Sequence, residues 1–154
     1  MTRFAANTEV SVTKSRAEIE HMIVRYGATS TAFVNGEGRS MIMFEAQGRR
    51  IAFNLPLPKK TERQFTHNKR GWLRTPEQCL EAWEQSCRQK WRALTLVIKA
   101  KLEAVESGIT SFEDEFLAHI VMPDGITVGE HIKSQIAQSY QANKMLPLLP
   151  QEKK

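Results

Sequence analysis

The sequence predicts an α+β domain in which a small antiparallel sheet packs on one long helix and two short helices follow. Three observations carry this. Leu80, Trp83, Cys87, Trp91, Leu94, Ile98, Leu102 and Val105 recur at spacings of three and four, the period of a helix that buries one face. Residues 29–55 alternate apolar and polar side chains around Asn35-Gly36 and Gln47-Gly48, as a three-stranded meander does. The pattern S/T-x-x-E, which caps helix starts, occurs at Ser15, Thr110 and Thr127. The expected domain covers 1–150: sheet and first helix over 9–58, a basic loop over 59–75 and a helical half over 76–143, with a tail over 145–154.

In chain order, residues 1–8 read as frayed, and Glu9 to Lys14 as a short strand carrying Val10 and Val12. The Ser15–Glu18 box opens a helix on Ile19, Met22, Ile23 and Tyr26, and Gly27 ends it as a left-handed cap residue. The strands follow at Thr29–Val34, Arg39–Ala46 and Arg49–Leu55, giving the order β-α-β-β-β. Pro56 and Pro58 stop the sheet. Residues 56–75 show no regular pattern, and so long a stretch within a domain is usually a functional loop. Thr75-Pro76 starts the long helix, expected to run to about Ser107 with Trp83, Leu94 and Ile98 buried on the sheet. The boxes at Thr110 and Thr127 start the two short helices, and the Pro-broken tail forms no regular element.

Composition sets limits. A chain of 154 residues buries a core of its own, so it needs no disulfide or metal staple. Hydrophobic residues at 41% and charged residues at 25% are globular values, which excludes a disordered chain. No apolar run approaches the roughly 18 residues of a membrane span, and the N-terminus lacks the apolar segment of a signal peptide. Cys79 and Cys87 lie two helical turns apart, about 12 Å, beyond disulfide reach. They read as reduced thiols of a cytoplasmic protein.

The net charge of +5 is concentrated. From Lys59 to Arg74 six basic residues (Lys59, Lys60, Arg63, Lys69, Arg70, Arg74) face one acid, Glu62. Such a run attracts polyanions. Phe65, His67 and Trp72 are interleaved with it, and an aromatic among cations offers a base something to stack on. The alternative is that Trp72 and Leu73 anchor the loop in the core while the charges stay solvated. On the long helix, Arg88 and Arg92 lie one turn apart, with Lys90 and Lys99 nearby. They suit phosphate contact equally with intrahelical pairing, Glu84 standing one turn before Arg88.

Glu115 and His119, at i and i+4, share a helical face and would suit a metal, although acids in a first turn also complement the helix dipole. The four histidines are scattered, and no nucleophile elbow, phosphate loop or dinucleotide fingerprint occurs. Asn35–Arg39, NGEGR, joins strand to strand, so it reads as a hairpin turn. No catalytic residue, metal ligand set or cofactor is therefore assigned.

The strings AWEQSCRQKWRALTLVIKAKLEAVESGIT and SFEDEFLAHIVMPDGITVGEHI, with SRAEIEHMIVRYGA and GRRIAFNLPLP, resemble a group of tailed-phage and prophage proteins with no established activity. The resemblance covers nearly the whole chain. It implies a setting of phage replication, recombination or anti-defence in a bacterial cytoplasm, and no catalytic residues. Helix, three-stranded meander, helix is also the order of double-stranded-RNA-binding domains. Those carry a basic cluster where this chain has Pro76, Glu77, Glu81 and Glu84, so the likeness is one of order alone.

The expected function is that of a non-catalytic, phage-encoded nucleic-acid-binding accessory protein with single strands favoured. It would use Lys59, Lys60, Arg63, Lys69, Arg70, Trp72, Arg74, Arg88 and Arg92. The alternatives are a protein that binds a host factor or sequesters an anionic signalling nucleotide, and a metal-dependent nuclease built on the acidic helix.

Overall fold

A computed structural model describes residues 3–149; residues 150–154 of the expected tail lie outside the described residues. The chain forms helix α1 (Val12–Tyr26), strands β1 (Ser30–Gly36), β2 (Arg39–Ala46) and β3 (Arg49–Pro56), a one-turn helix α2 (Arg63–Thr66), the long helix α3 (Pro76–Glu106), a short helix α4 (Phe112–Phe116), a 3₁₀ turn (Leu117–His119) and helix α5 (Val128–Ala142).

The first element departs from expectation. No strand forms at Glu9–Lys14; α1 begins at Val12 instead, and Ser11 caps it by accepting from the Lys14 N–H at 3.1 Å. Ser15 is therefore not a cap: it lies fully buried one turn inside the helix. Nor do residues 3–8 hang free. Gln85 on α3 donates to the carbonyls of Ala6 and Thr8, and Gln89 to that of Phe4, tying this segment across α3.

The three strands pair in the order β1-β2-β3, all antiparallel. Gln47-Gly48 turns the second hairpin with both residues at positive φ, as a two-residue turn requires. The first hairpin turns at Glu37-Gly38 rather than Asn35-Gly36, because Gly36 pairs with Arg39. A turn at Asn35-Gly36 would set Phe33 opposite Gly38; the observed register sets it opposite Ile42, so packing outweighs the dipeptide preference.

One sheet face is the core. Ile42, Phe44 and Ala46 alternate with half-buried neighbours on β2, and Ile51, Phe53 and Leu55 alternate with largely exposed ones on β3. Helices α1 and α3 pack side by side over this face through Ile19, Ile23, Trp91, Leu94, Ile98 and Leu102. Helix α4 closes the remaining end: Phe116 stands edge-on to both Phe44 and Phe53. Fully burying such a phenylalanine stabilises by about 1.5–3 kcal/mol.

Helix α3 runs unbroken through Trp91. Thr75 and Gln78 form a reciprocal capping box around Pro76. Leu94 and Ile98 are buried as expected, whereas Trp83 is only half-buried, its indole N–H donating to the Pro58 carbonyl at 2.7 Å. The cap of α4 is Ser111, one residue beyond the expected Thr110. The box at Thr127 and Glu130 caps α5 as read. Among the described residues no helix is long and apolar enough to cross a membrane.

Candidate nucleic-acid interface and adjoining cleft

The basic stretch is more ordered than its sequence implies. Lys59 and Lys60 leave the sheet, and the Lys59 N–H is held by the Glu62 carboxylate at 2.8 Å. The N–H hydrogen bonds from Lys59 and Gln64 hold the Glu62 carboxyl below its ordinary range. Phe65 on α2 is buried and serves as the loop's anchor.

A tip then forms where His67 bridges to Leu73. The Asn68 carboxamide oxygen accepts from the Arg70 and Trp72 N–H groups at 2.9 and 3.0 Å. Gly71 completes the turn at φ +81°, a conformation that favours glycine. The tip pushes Trp72 outward: it is 72% exposed and Leu73 78%, so neither anchors the loop in the core. Lys69 and Arg70 lie on the same turn as Trp72, and a shallow depression at the tip gathers Arg63, His67, Lys69 and Arg74.

A second depression, sharing Asn68 and Arg74 with the first, leads along α3 past Gln78 and Gln85 to Arg88. Arg88 donates to the Gln85 carboxamide oxygen instead of pairing with Glu84. It also borders a larger cleft of about 720 Å³ between the start of α1, the β1–β2 turn, the chain after β3, and α3. Six of the nine expected contact residues thus line one band of adjoining depressions, and Arg70 and Trp72 lie on the tip beside it. Arg92 does not join it, because its guanidinium grips the Glu18 carboxylate of α1.

Sequence reasoning missed the cleft. Its walls include Trp83 and Trp91 from α3 and Leu57 from the chain after β3. Arg16 reaches in from α1, its guanidinium 5.0 Å from the Phe33 ring centroid and 5.6 Å from that of Trp91. Lys60 lies 4.4 Å from the Trp83 ring centroid. Ser40, buried on β2, donates to the Asn35 carboxamide oxygen across the hairpin at 2.8 Å. Cys87 forms part of the wall; burial, reinforced by Glu84, pushes its thiol pKa up, so it stays protonated at neutral pH. Cys79 and Cys87 are both free thiols.

The acidic helix supplies a different arrangement from a metal site. Glu115 accepts from the Lys101 ammonium at 3.1 Å. His119 stacks on Phe53 with ring centroids 4.1 Å apart. Among the described residues no three His, Cys, Asp or Glu side chains converge. Comparison with protein-family models, curated proteins and solved structures returns no match to this chain.

Proposed function

We propose that this chain is a nucleic-acid-binding accessory protein of the kind tailed phages encode, acting without catalysis and favouring single strands. The observation that carries the reading is the tip: Trp72 stands 72% exposed on the turn that carries Lys69 and Arg70, and Arg63 and Arg74 line the depression beside that turn. None of these four cations has a carboxylate within ion-pair distance among the described residues. An ordered loop that holds an indole in water on the same turn as free cations suits a base stacked on the ring with its phosphates on those cations. Stacking needs an unpaired base, which favours single strands.

Phosphate contact releases counterions. Four to six contacts from Lys59, Lys60, Arg63, Lys69, Arg70 and Arg74 predict a slope of log K against log salt of roughly −3 to −4 on single strands, about −0.7 per contact. Lys69→Ala with Arg70→Ala flattens the slope by about 1.4 and leaves sequence preference alone. Trp72→Ala weakens binding by about 1–3 kcal/mol with little change in slope. Undetectable affinity at low salt, or a slope indifferent to the double substitution, overturns the reading. With magnesium or manganese the strands should stay intact. Cleavage that vanishes in Glu115→Ala or His119→Ala would establish a nuclease instead.

A further inference from the structure

The cleft beside α1 has a chemistry distinct from the exposed tip. Its lining combines the half-buried Trp83 indole with cations that lack a carboxylate partner among the described residues. On helix α3 the half-buried Arg92 and Lys101 each grip a carboxylate, whereas the half-buried Lys90 has none within ion-pair distance among the described residues. Arg16 and Arg88, also half-buried, have no carboxylate within ion-pair distance among the described residues. Partly desolvated cations without counter-charge are costly, and an anion entering the cleft relieves that cost. Lys60 at the wall adds to the positive potential, while Glu84 and Glu37 on the rim offset part of it. The start of α1 has no acid in its first turn, so its positive dipole end is not neutralised from within the helix.

Charge alone selects an anion; the walls select its shape. The cleft volume of about 720 Å³ lies within the roughly 300–1,000 Å³ of small-ligand sites. An inorganic anion would leave the half-buried indole of Trp83 uncovered, and a neutral aromatic would leave Arg16 and Arg88 without counter-charge. A planar aromatic joined to a phosphate satisfies both. Arg16 and Lys60 already lie beside the aromatic rings, so a base against the wall brings its phosphate within their reach. The Asn35 carboxamide oxygen is taken by Ser40, which turns its NH₂ into the group offered to a base edge.

We propose that this cleft is a nucleotide pocket, holding a nucleobase against Trp83 with its phosphate on Arg16, Lys60 and Arg88. The nucleotide is either free in solution or one unit of a strand that continues along the band past Arg88. The pocket does not depend on the exposed tip, and the two ideas fail separately.

The test is calorimetry on the full chain with AMP, GMP and UMP, with adenosine and inorganic phosphate as partial ligands, and with a single-stranded oligonucleotide. The Trp83 indole N–H resonance is followed alongside. At least one mononucleotide should bind saturably and shift that resonance, with adenosine and phosphate each at least tenfold weaker. Arg16→Ala should weaken mononucleotide binding at least tenfold; Arg16→Gln, which keeps more of the side chain, should do the same if Arg16→Ala folds poorly. No saturable binding of any mononucleotide at millimolar concentration, or indifference to both Arg16 substitutions, overturns the pocket. If that happens while the oligonucleotide keeps its salt slope, the nucleic-acid reading stands alone. Mononucleotide binding without any oligonucleotide binding leaves the pocket standing and removes that reading. Where both ligands bind, loss of oligonucleotide affinity in Arg16→Ala assigns the pocket to a strand nucleotide, and unchanged affinity assigns it to a free one.

Discussion

Ser15 sits at 0% exposure where α1 crosses α3, and its hydroxyl finds no hydrogen-bond partner. A buried hydroxyl left unsatisfied costs about 1–3 kcal/mol, and alanine is the better helix former. Ser15→Ala should therefore raise stability, by about 1 kcal/mol, read as a higher denaturant midpoint at unchanged slope. A capping Ser15 would give the opposite sign, because losing an N-cap costs about 1 kcal/mol. His119 is a second residue whose environment sets a direction. Burial against Phe53, helped by Lys101 and Lys133, holds its imidazole pKa below the ordinary value of 6.5, although a hydrogen bond with the Ala52 backbone opposes this. The unfolded chain then takes up a proton more readily than the folded one. The contribution of His119 is fully present above about pH 6.5 and is lost as the pH falls towards the depressed folded value. His119→Gln should flatten the fall in stability between pH 7 and 5; an unchanged difference curve would show that His119 does not set it.

Elements written in short-range chemistry were legible: the Thr75 and Thr127 caps, the stripe of α3 and the Gln47-Gly48 turn each depend on residues within a few positions. Errors arose where two local signals competed and tertiary packing decided. Ser15 was expected to cap α1, but Ser11 does so; Glu18, the expected partner in the Ser15 box, instead pairs with Arg92 on α3. Asn35-Gly36 and Glu37-Gly38 both offered a turn, and Phe33 opposite Ile42 chose between them. The basic tip was visible as composition, but its shape depends on the Asn68 side chain. The cleft was not visible at all, because Arg16, Asn35, Lys60 and Arg88 come from four separate parts of the chain. Gly129 shows the same dependence on packing at a helix start. A Cβ there would lie 2.9 Å from the Ala118 carbonyl oxygen, a backbone atom that cannot swing aside. Gly129→Ala should cost about 1–3 kcal/mol and displace α5 from the 3₁₀ turn. Amide exchange should then quicken across Val128–Ala142 and stay unchanged in the centre of α3; uniform quickening would mean that α5 is integral to the core.

At the scale of the molecule, burial is unevenly shared. Helices α1, α3 and α4 and the sheet contribute to one continuous core. Helix α5 buries only Gly129 and leaves Ile136 40% and Tyr140 85% exposed. Its ties lie near its start: the bridge between Val121 and Thr127, the Val128 N–H donating to the Ile120 carbonyl at 2.9 Å with Val128 packed against the core, the contact of Gly129 with Ala118, and the His131 pairing with Asp124 at 2.7 Å. Few buried apolar contacts mean a low free energy of local opening, so α5 should exchange its amides at least tenfold faster than α3 between Trp91 and Leu102, which should open only on global unfolding. The cleft belongs to the stable unit, since its walls come from α1, the hairpin and α3. A ligand bound only to the folded state adds RT ln(1 + [L]/Kd), about 2.7 kcal/mol at a hundred times Kd. A nucleotide in the cleft should thus slow exchange at Trp91–Leu102 by about a hundredfold, while α5, which opens without disturbing the cleft, keeps its own rate. Equal slowing in both segments would mean that α5 opens only with the whole molecule. Slowing confined to α5 would place the ligand elsewhere.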